Sequence, residues 1–193
     1  NLAIDSVEIT GAPAIDFDYS AGLLTNIELT GSGSGNGFIS HHGRSSSSMI
    51  VENLNLSDYS VGLDLHADNG DSSAPFILRD STITASTSIS AENYSAVVES
   101  TTLSGNNELS DDTTINFIDS IFLAQQPISL WNGAQANQYH TLILDAQLSE
   151  VSQLTTFEIS SILSDGTTSL DFVSGVAISY QLLVVEQYSD DNV

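Results

Sequence analysis

A short grammar of apolar and polar positions recurs along the chain, first as Ile4-Asp5-Ser6-Val7-Glu8-Ile9: apolar, polar, small polar, two free positions, apolar. Aligned on the small polar residue, its copies form a column of Ser6, Asn26, Asn53, Asp80, Ser100 and Ser120. Two residues earlier stand Ile4, Leu24, Val51, Leu78, Val98 and Ile118, and three residues later Ile9, Leu29, Leu56, Ile83, Leu103 and Leu123. The position just before the small polar residue holds Asp5, Thr25, Glu52, Arg79, Glu99 and Asp119. Two apolar columns beside a water-seeking one predict a strand with one dry and one wet face. The later apolar marker advances from Ile9 to Leu123 in steps of 20, 27, 27, 20 and 20 residues. A near-fixed period of that size belongs to a repeat architecture.

Each unit continues through a Gly/Ser/Asn-rich corner into a second short strand. These second strands read Ala14-Ile15-Asp16-Phe17-Asp18, Phe38-Ile39-Ser40-His41, Gly62-Leu63-Asp64-Leu65-His66 and Ser88-Ile89-Ser90-Ala91, with weaker ones around Leu109 and Ile128-Ser129-Leu130. The Leu-x-x-Leu-x-Leu core and helical return limb of a leucine-rich repeat are both missing. Short strands without helices at this period predict coils stacked as a parallel β-helix, each paired only with its neighbours. The triplets Asp5-Ser6-Val7, Thr25-Asn26-Ile27, Glu52-Asn53-Leu54, Asp80-Ser81-Thr82, Glu99-Ser100-Thr101 and Asp119-Ser120-Ile121 resemble those of the right-handed parallel β-helix superfamily of secreted bacterial and phage proteins. The resemblance implies an all-β, right-handed, single-stranded parallel β-helix of about 6–7 coils, with Asn, Ser and Thr side chains stacked at a tight bend. It leaves function open, since that superfamily spans lyases, glycosidases, esterases, tailspikes, adhesins and passive spacers. It covers residues 1–148, where Ile143-Leu144-Asp145-Ala146-Gln147-Leu148 reads as a seventh repeat. Residues 149–193 lose the register and are expected to form a β-rich C-terminal cap, because an open solenoid end exposes unpaired strand edges. No cap precedes Leu2, so an upstream domain or a second copy, stacked end to end, is expected to cover the N-terminal coil.

Composition narrows the partners. The 193 residues include 25 acidic and only two basic ones, Arg44 and Arg79, for a net charge of −23. Nucleic acid and anionic membranes draw proteins through clustered Lys and Arg, so no nucleic-acid partner is expected and an anionic membrane is disfavoured. No apolar run reaches the ~20 residues of a membrane helix, which excludes membrane insertion. Without cysteine there is neither a disulfide framework nor a thiolate metal site. Acidity with abundant Ser, Thr, Asn and Asp suits a secreted or cell-surface protein in salty or divalent-rich water. The plainer alternative is charge that keeps a long solenoid soluble.

Candidate chemistry concentrates on the second strands, where Asp16 and Asp18, His41 and His42, and Asp64 and His66 can face outward on one sheet. Carboxylates two rungs apart lie ~9.6 Å from each other, near the upper end of the roughly 6.5–9.5 Å that inverting glycosidases use. In an enzyme, Asp16 and Asp64 would be the acid/base pair, His41 or His66 would tune protonation, and Arg44 would hold a substrate carboxylate. The same residues could instead bind Zn²⁺, or be solvated positions with no site at all. Asp68-Asn69-Gly70-Asp71 and Asp111-Asp112 are oxygen-rich loops able to hold Ca²⁺, or simple acidic turns. Trp131, with Tyr139, offers a sugar-stacking platform, the alternative being a Trp packed beneath the cap. Arg79 is expected to pair with Glu52 and Glu99 on adjacent coils. The threonine pairs Thr82/Thr84 and Thr101/Thr102 suggest an ice-binding face, but they do not form a flat, regular Thr-x-Thr array across coils, which sets that reading aside.

A full set of repeat columns without a complete catalytic signature favours a non-catalytic extracellular module: a stalk, an adhesive, or a segment contacting a polysaccharide or cell-surface glycan. The rival is a carbohydrate-active enzyme, a glycoside hydrolase or polysaccharide lyase, for which the acidic surface makes a neutral polymer the safer substrate. A third reading is a self-stacking filament subunit.

Overall fold

The computed structural model describes residues 2–11, 15–18, 21–42, 48–67, 74–144, 157–162, 168–173 and 178–189. These are all β. In chain order the strands are β1 (Leu2–Thr10), β2 (Ile15–Asp18), β3 (Gly22–Thr30), β4 (Asn36–His42), β5 (Met49–Ala67), β6 (Phe76–Arg79), β7 (Thr82–Glu92), β8 (Ser95–Glu99) and β9 (Thr102–Leu103). There follow β10 (Asn106–Ser110), β11 (Thr114–Ile118), β12 (Ile121–Phe122), β13 (Ile128–Leu130), β14 (Gln135–Leu144), β15 (Phe157–Ile162), β16 (Thr168–Val173) and β17 (Ile178–Ser189). Fifteen of them belong to one curled, mostly parallel sheet, and β15 and β16 form a separate antiparallel pair.

Three parallel ladders run through the sheet. The first stacks Leu2–Asp5 of β1, the start of β3, the start of β5, β6, β8, β11 and β14. The second stacks Val7–Thr10, the end of β3, the middle of β5, the start of β7, β9 and β12. The third stacks β2, β4, the end of β5, the end of β7, β10 and β13. Strand β14 closes the first ladder by pairing antiparallel with β17.

Between the first and second ladders the chain bends at one left-handed residue per coil: Ser6 (φ 60°), Asn26 (56°), Asn53 (58°), Asp80 (48°), Ser100 (50°) and Asp119 (50°). Small polar side chains tolerate this conformation by bonding locally, whereas bulky apolar ones pay for the Cβ clash. That is the physical content of the small polar column. Asn53 Nδ2 donates to Asn26 Oδ1 at 3.0 Å, and Asn26 Nδ2 to Asp5 Oδ1 at 2.7 Å, so the bends are stitched together in the first three coils.

The sixth coil corrects the sequence alignment by one residue. Val98 pairs with Phe117 and Leu103 with Phe122, so Asp119 takes the bend in place of Ser120. Ser120 turns inward and bonds the Val98 carbonyl at 3.0 Å, while Leu123 is 63% exposed. This repeat is one residue shorter than the constant step of 20 implied, and the pairing of Val98 with Phe117 sets the bend at Asp119. The seventh repeat is likewise displaced. Gln135–Tyr139 lies opposite Thr114–Ile118, five positions before the register in which Ile143 and Asp145 would serve. Asp145 itself lies outside the described residues.

The core is a set of inward files. Phe17, Phe38, Phe76 and Tyr94 form an aromatic run with centroid spacings of 5.7, 5.8 and 6.4 Å. Such tilted pairs contribute about 0.5–1.5 kcal/mol each beyond the area they bury. Just after the bend, the inward file changes character from Val7, Ile27 and Leu54 to Ser81, Thr101 and Ser120. Ser81 Oγ accepts the Leu54 amide at 3.0 Å, and Thr101 Oγ1 accepts the Ser81 amide at 3.4 Å, so the buried hydroxyls are satisfied by the coil below.

Candidate functional site

The outward face of the third ladder carries the sequence-predicted cluster. Alternation along β4 and β5 buries Phe38, Ser40, Leu63 and Leu65 and turns Ile39, His41, Asp64 and His66 outward. Register then builds two outward files: Asp16, Ile39, Asp64, Ser90 and Glu108, and beside it Asp18, His41, His66, Glu92 and Ser110. His42 continues β4 opposite Ala67.

Asp16 and Asp64 therefore stand two rungs apart, as the spacing predicted, but with Ile39 between them on the same file. Asp64 is half-buried and has partners for both oxygens. Asn36 Nδ2 donates to Oδ2, and the His66 Nε2 contacts Oδ1. The other His66 nitrogen, Nδ1, lies 3.6 Å from Glu92 Oε2 on the next rung. The His41 ring stacks beside that of His66, centroids 6.0 Å apart and planes 23° from parallel. Asn36 and Glu92 were not legible as partners. Asn36 stands two positions before the predicted strand, and Glu92 is recognisable only once the coil-to-coil register is known.

The other predicted residues are dispersed. Arg44, Asp68, Asn69 and Asp71 lie outside the described residues. Asp111 (φ 50°) and Asp112 (φ 59°) form a tight corner, and Asp111 Oδ1 accepts from Asn132 Nδ2 at 2.9 Å. No group of three or more His, Cys, Asp or Glu among the described residues is arranged to hold a metal ion. Trp131 is 46% exposed at the end of the third ladder, its amide bonded to the Leu109 carbonyl; Tyr139 lies opposite Ile118 in the first ladder.

Arg79 occupies its expected place. Its Nε is 3.1 Å from Glu99 Oε2 and its Nη1 3.4 Å from Glu52 Oε1, forming a three-coil ion ladder. At two bends, hydrogen bonding holds carboxyls below their usual range. Asp5 is lowered first by Asn26 and then Thr25, and Asp119 first by Thr141, with a smaller contribution from the His140 charge.

No helix among the described residues is long and apolar enough to cross a membrane. No protein-family model, curated protein or solved structure matches the chain.

Proposed function

We propose that the chain is a right-handed parallel β-helix of six to seven coils serving as a non-catalytic extracellular contact module, a stalk or glycan-contacting segment of a secreted or surface protein. One observation carries the non-catalytic reading. Both Asp64 oxygens are engaged by Asn36 and His66, and the Ile39 side chain stands between Asp64 and Asp16. An inverting pair needs a water-sized gap between the two groups. Here an aliphatic side chain occupies the gap, and the carboxylate's hydrogen bonds link β4 to β5. The Asp64, His66 and Glu92 contacts thus serve as lateral cross-links on an outward face. The large negative charge favours a neutral glycan over a polyuronate as the contacted polymer.

The test is a panel of neutral and acidic polysaccharides incubated with the wild-type chain, Asp16→Ala and Asp64→Ala. The module reading expects no depolymerisation by any of the three. Wild-type cleavage abolished by both substitutions would establish the enzyme instead.

A further inference from the structure

The outward face of the second ladder carries a two-dimensional array that neither the glycan reading nor the His–Asp cluster uses. Register places Glu8, Glu28, Asn55, Thr82, Thr102 and Ile121 in one file. Thr10, Thr30, Ser57 and Thr84 form the file beside it. Ser104 and Leu123 extend that second file, since their amides bond the carbonyls of Ile83 and Leu103. Each of the first five coils contributes the same unit, polar, aliphatic, hydroxyl, with the aliphatic partly buried at Ile9 and buried in the other four, as in Thr82-Ile83-Thr84 and Thr102-Leu103-Ser104. Sequence spacing had paired Thr101 with Thr102. The structure instead buries Thr101 at 1% exposure and sets Thr102 opposite Thr82, which makes the array regular.

Two properties of this face point to one kind of partner. The first is its metric: hydroxyl-bearing positions repeat at ~4.8 Å between rungs and roughly 6.6 Å between alternate residues of a strand. Both spacings are close to oxygen repeats of the ice lattice. β-Branched threonines are stiff at χ1, so the grid is preordered. The second is its charge. From the third coil onward its two files hold Asn55, Ser57, Thr82, Thr84, Thr102, Ser104, Ile121 and Leu123, none of them ionised, with the exposed carboxylates Asp58 and Asp80 set at the flanking corners, in a chain of 25 acidic residues. A carboxylate would hold its own hydration shell against a foreign lattice. Hydroxyls mixed with methyls can hold water in one. Ser104 Oγ bonds back to the Ile83 carbonyl at 3.2 Å, so its contribution is positional. A sugar polymer would call for an exposed aromatic platform, and Trp131 lies at the end of a different ladder.

We propose that the second-ladder face is an ice-binding surface centred on Thr82, Thr84 and Thr102. It goes beyond the contact-module reading and does not depend on the outcome of the glycan assay.

The test grows an ice hemisphere slowly in a solution of the whole chain and measures protein in the ice and liquid fractions, with thermal hysteresis on the same samples. Thr84→Lys places a charge in the grid, and Ser90→Lys places the same charge on the outward face of the third ladder. Circular dichroism and thermal unfolding confirm that each variant is folded, and Thr82→Lys replaces Thr84→Lys if that variant does not fold. Wild type and Ser90→Lys are expected to concentrate in the ice several-fold over an unrelated acidic protein, and Thr84→Lys to fall to that protein's level. Exclusion of the wild type from ice, or undiminished uptake of Thr84→Lys, overturns the proposal. So does retention on crystalline chitin or cellulose without ice uptake, which would assign the face to a polysaccharide.

Discussion

Arg79 Nε lies 3.1 Å from Glu99 Oε2 across 20 positions of sequence, and the same guanidinium reaches back to Glu52 on the preceding coil. All three side chains are more than a third exposed, which limits each pair to about 0–1 kcal/mol. Arg79→Ala removes both pairs and should therefore lower stability by no more than about 2 kcal/mol at low salt. Arg79→Glu should cost more, because it sets three carboxylates in one file about 4.8 Å apart. Chemical denaturation in urea at low and high salt checks this: the gap between the two variants should narrow as salt screens the repulsion.

Tyr94 supplies a pH dependence. The side chain is 1% exposed, its hydroxyl shares a 2.9 Å hydrogen bond with Ser40 Oγ, and burial pushes its pKa from 10.0 up to about 12. The folded state holds this proton more tightly than the unfolded chain, so the contribution is complete below about pH 10 and is lost as the pH climbs toward 12. At 1.36 kcal/mol per unit, roughly 2–3 kcal/mol is at stake. Tyr94→Phe should cost about 1–2 kcal/mol at neutral pH, because Ser40 loses a buried partner. The same variant should flatten the alkaline decline in the urea midpoint, which is the measurement that separates titration of Tyr94 from general alkaline unfolding.

The all-β, mostly parallel character of the fold was legible because each repeat must solve the same two problems, a bend and a dry face. The bend at Asn26 or Asp80 needs a small polar residue, and the flanking positions need apolar ones, so the columns appear in a single sequence. The misreading at coil six has the same cause. Asp119 and Ser120 both satisfy the pattern on paper, and only the pairing of Val98 with Phe117 decides between them. The candidate site was legible in its strand and its direction, through the alternation of Asp64 and His66 with Leu63 and Leu65. What held Asp64 was not, since Asn36 comes from 28 positions earlier and meets it only across a ladder. The hydroxyl grid was missed because adjacency in sequence, Thr101 beside Thr102, says nothing about which hydroxyl faces water.

Gly62 tests how closely the coils are packed. A Cβ there would lie 2.4 Å from Ile83 Cγ2 and 2.7 Å from the Ser88 carbonyl oxygen, both well inside contact distance. Gly37, one coil below, is hemmed in at 2.5 Å by the Leu56 side chain. The corner between the second and third ladders therefore accepts no side chain at these two levels. Gly62→Ala should destabilise by about 1–3 kcal/mol through overpacking. Thermal unfolding of Gly62→Ala checks it, and an unchanged midpoint would show that the corner can open.

Asn107 is the reverse case, a residue whose replacement should help. It is fully buried in an inward file otherwise made of Ile15, Phe38, Leu63, Ile89 and Ile128. Its Nδ2 donates to the Pro127 carbonyl at 2.7 Å, but its Oδ1 has no partner among the described residues. A buried acceptor left unmade costs about 1–3 kcal/mol, more than the roughly 0.5–1.5 kcal/mol that the amide's one hydrogen bond returns. Asn107→Leu removes both, and the Pro127 carbonyl keeps the Asn107 backbone amide as a donor at 2.8 Å, so no new orphan is created. The variant should be neutral or more stable by about 1 kcal/mol, with an unchanged slope of unfolding free energy against urea. A loss of more than about 1 kcal/mol would mean that the amide fixes the Pro127 segment in a way that packing alone does not.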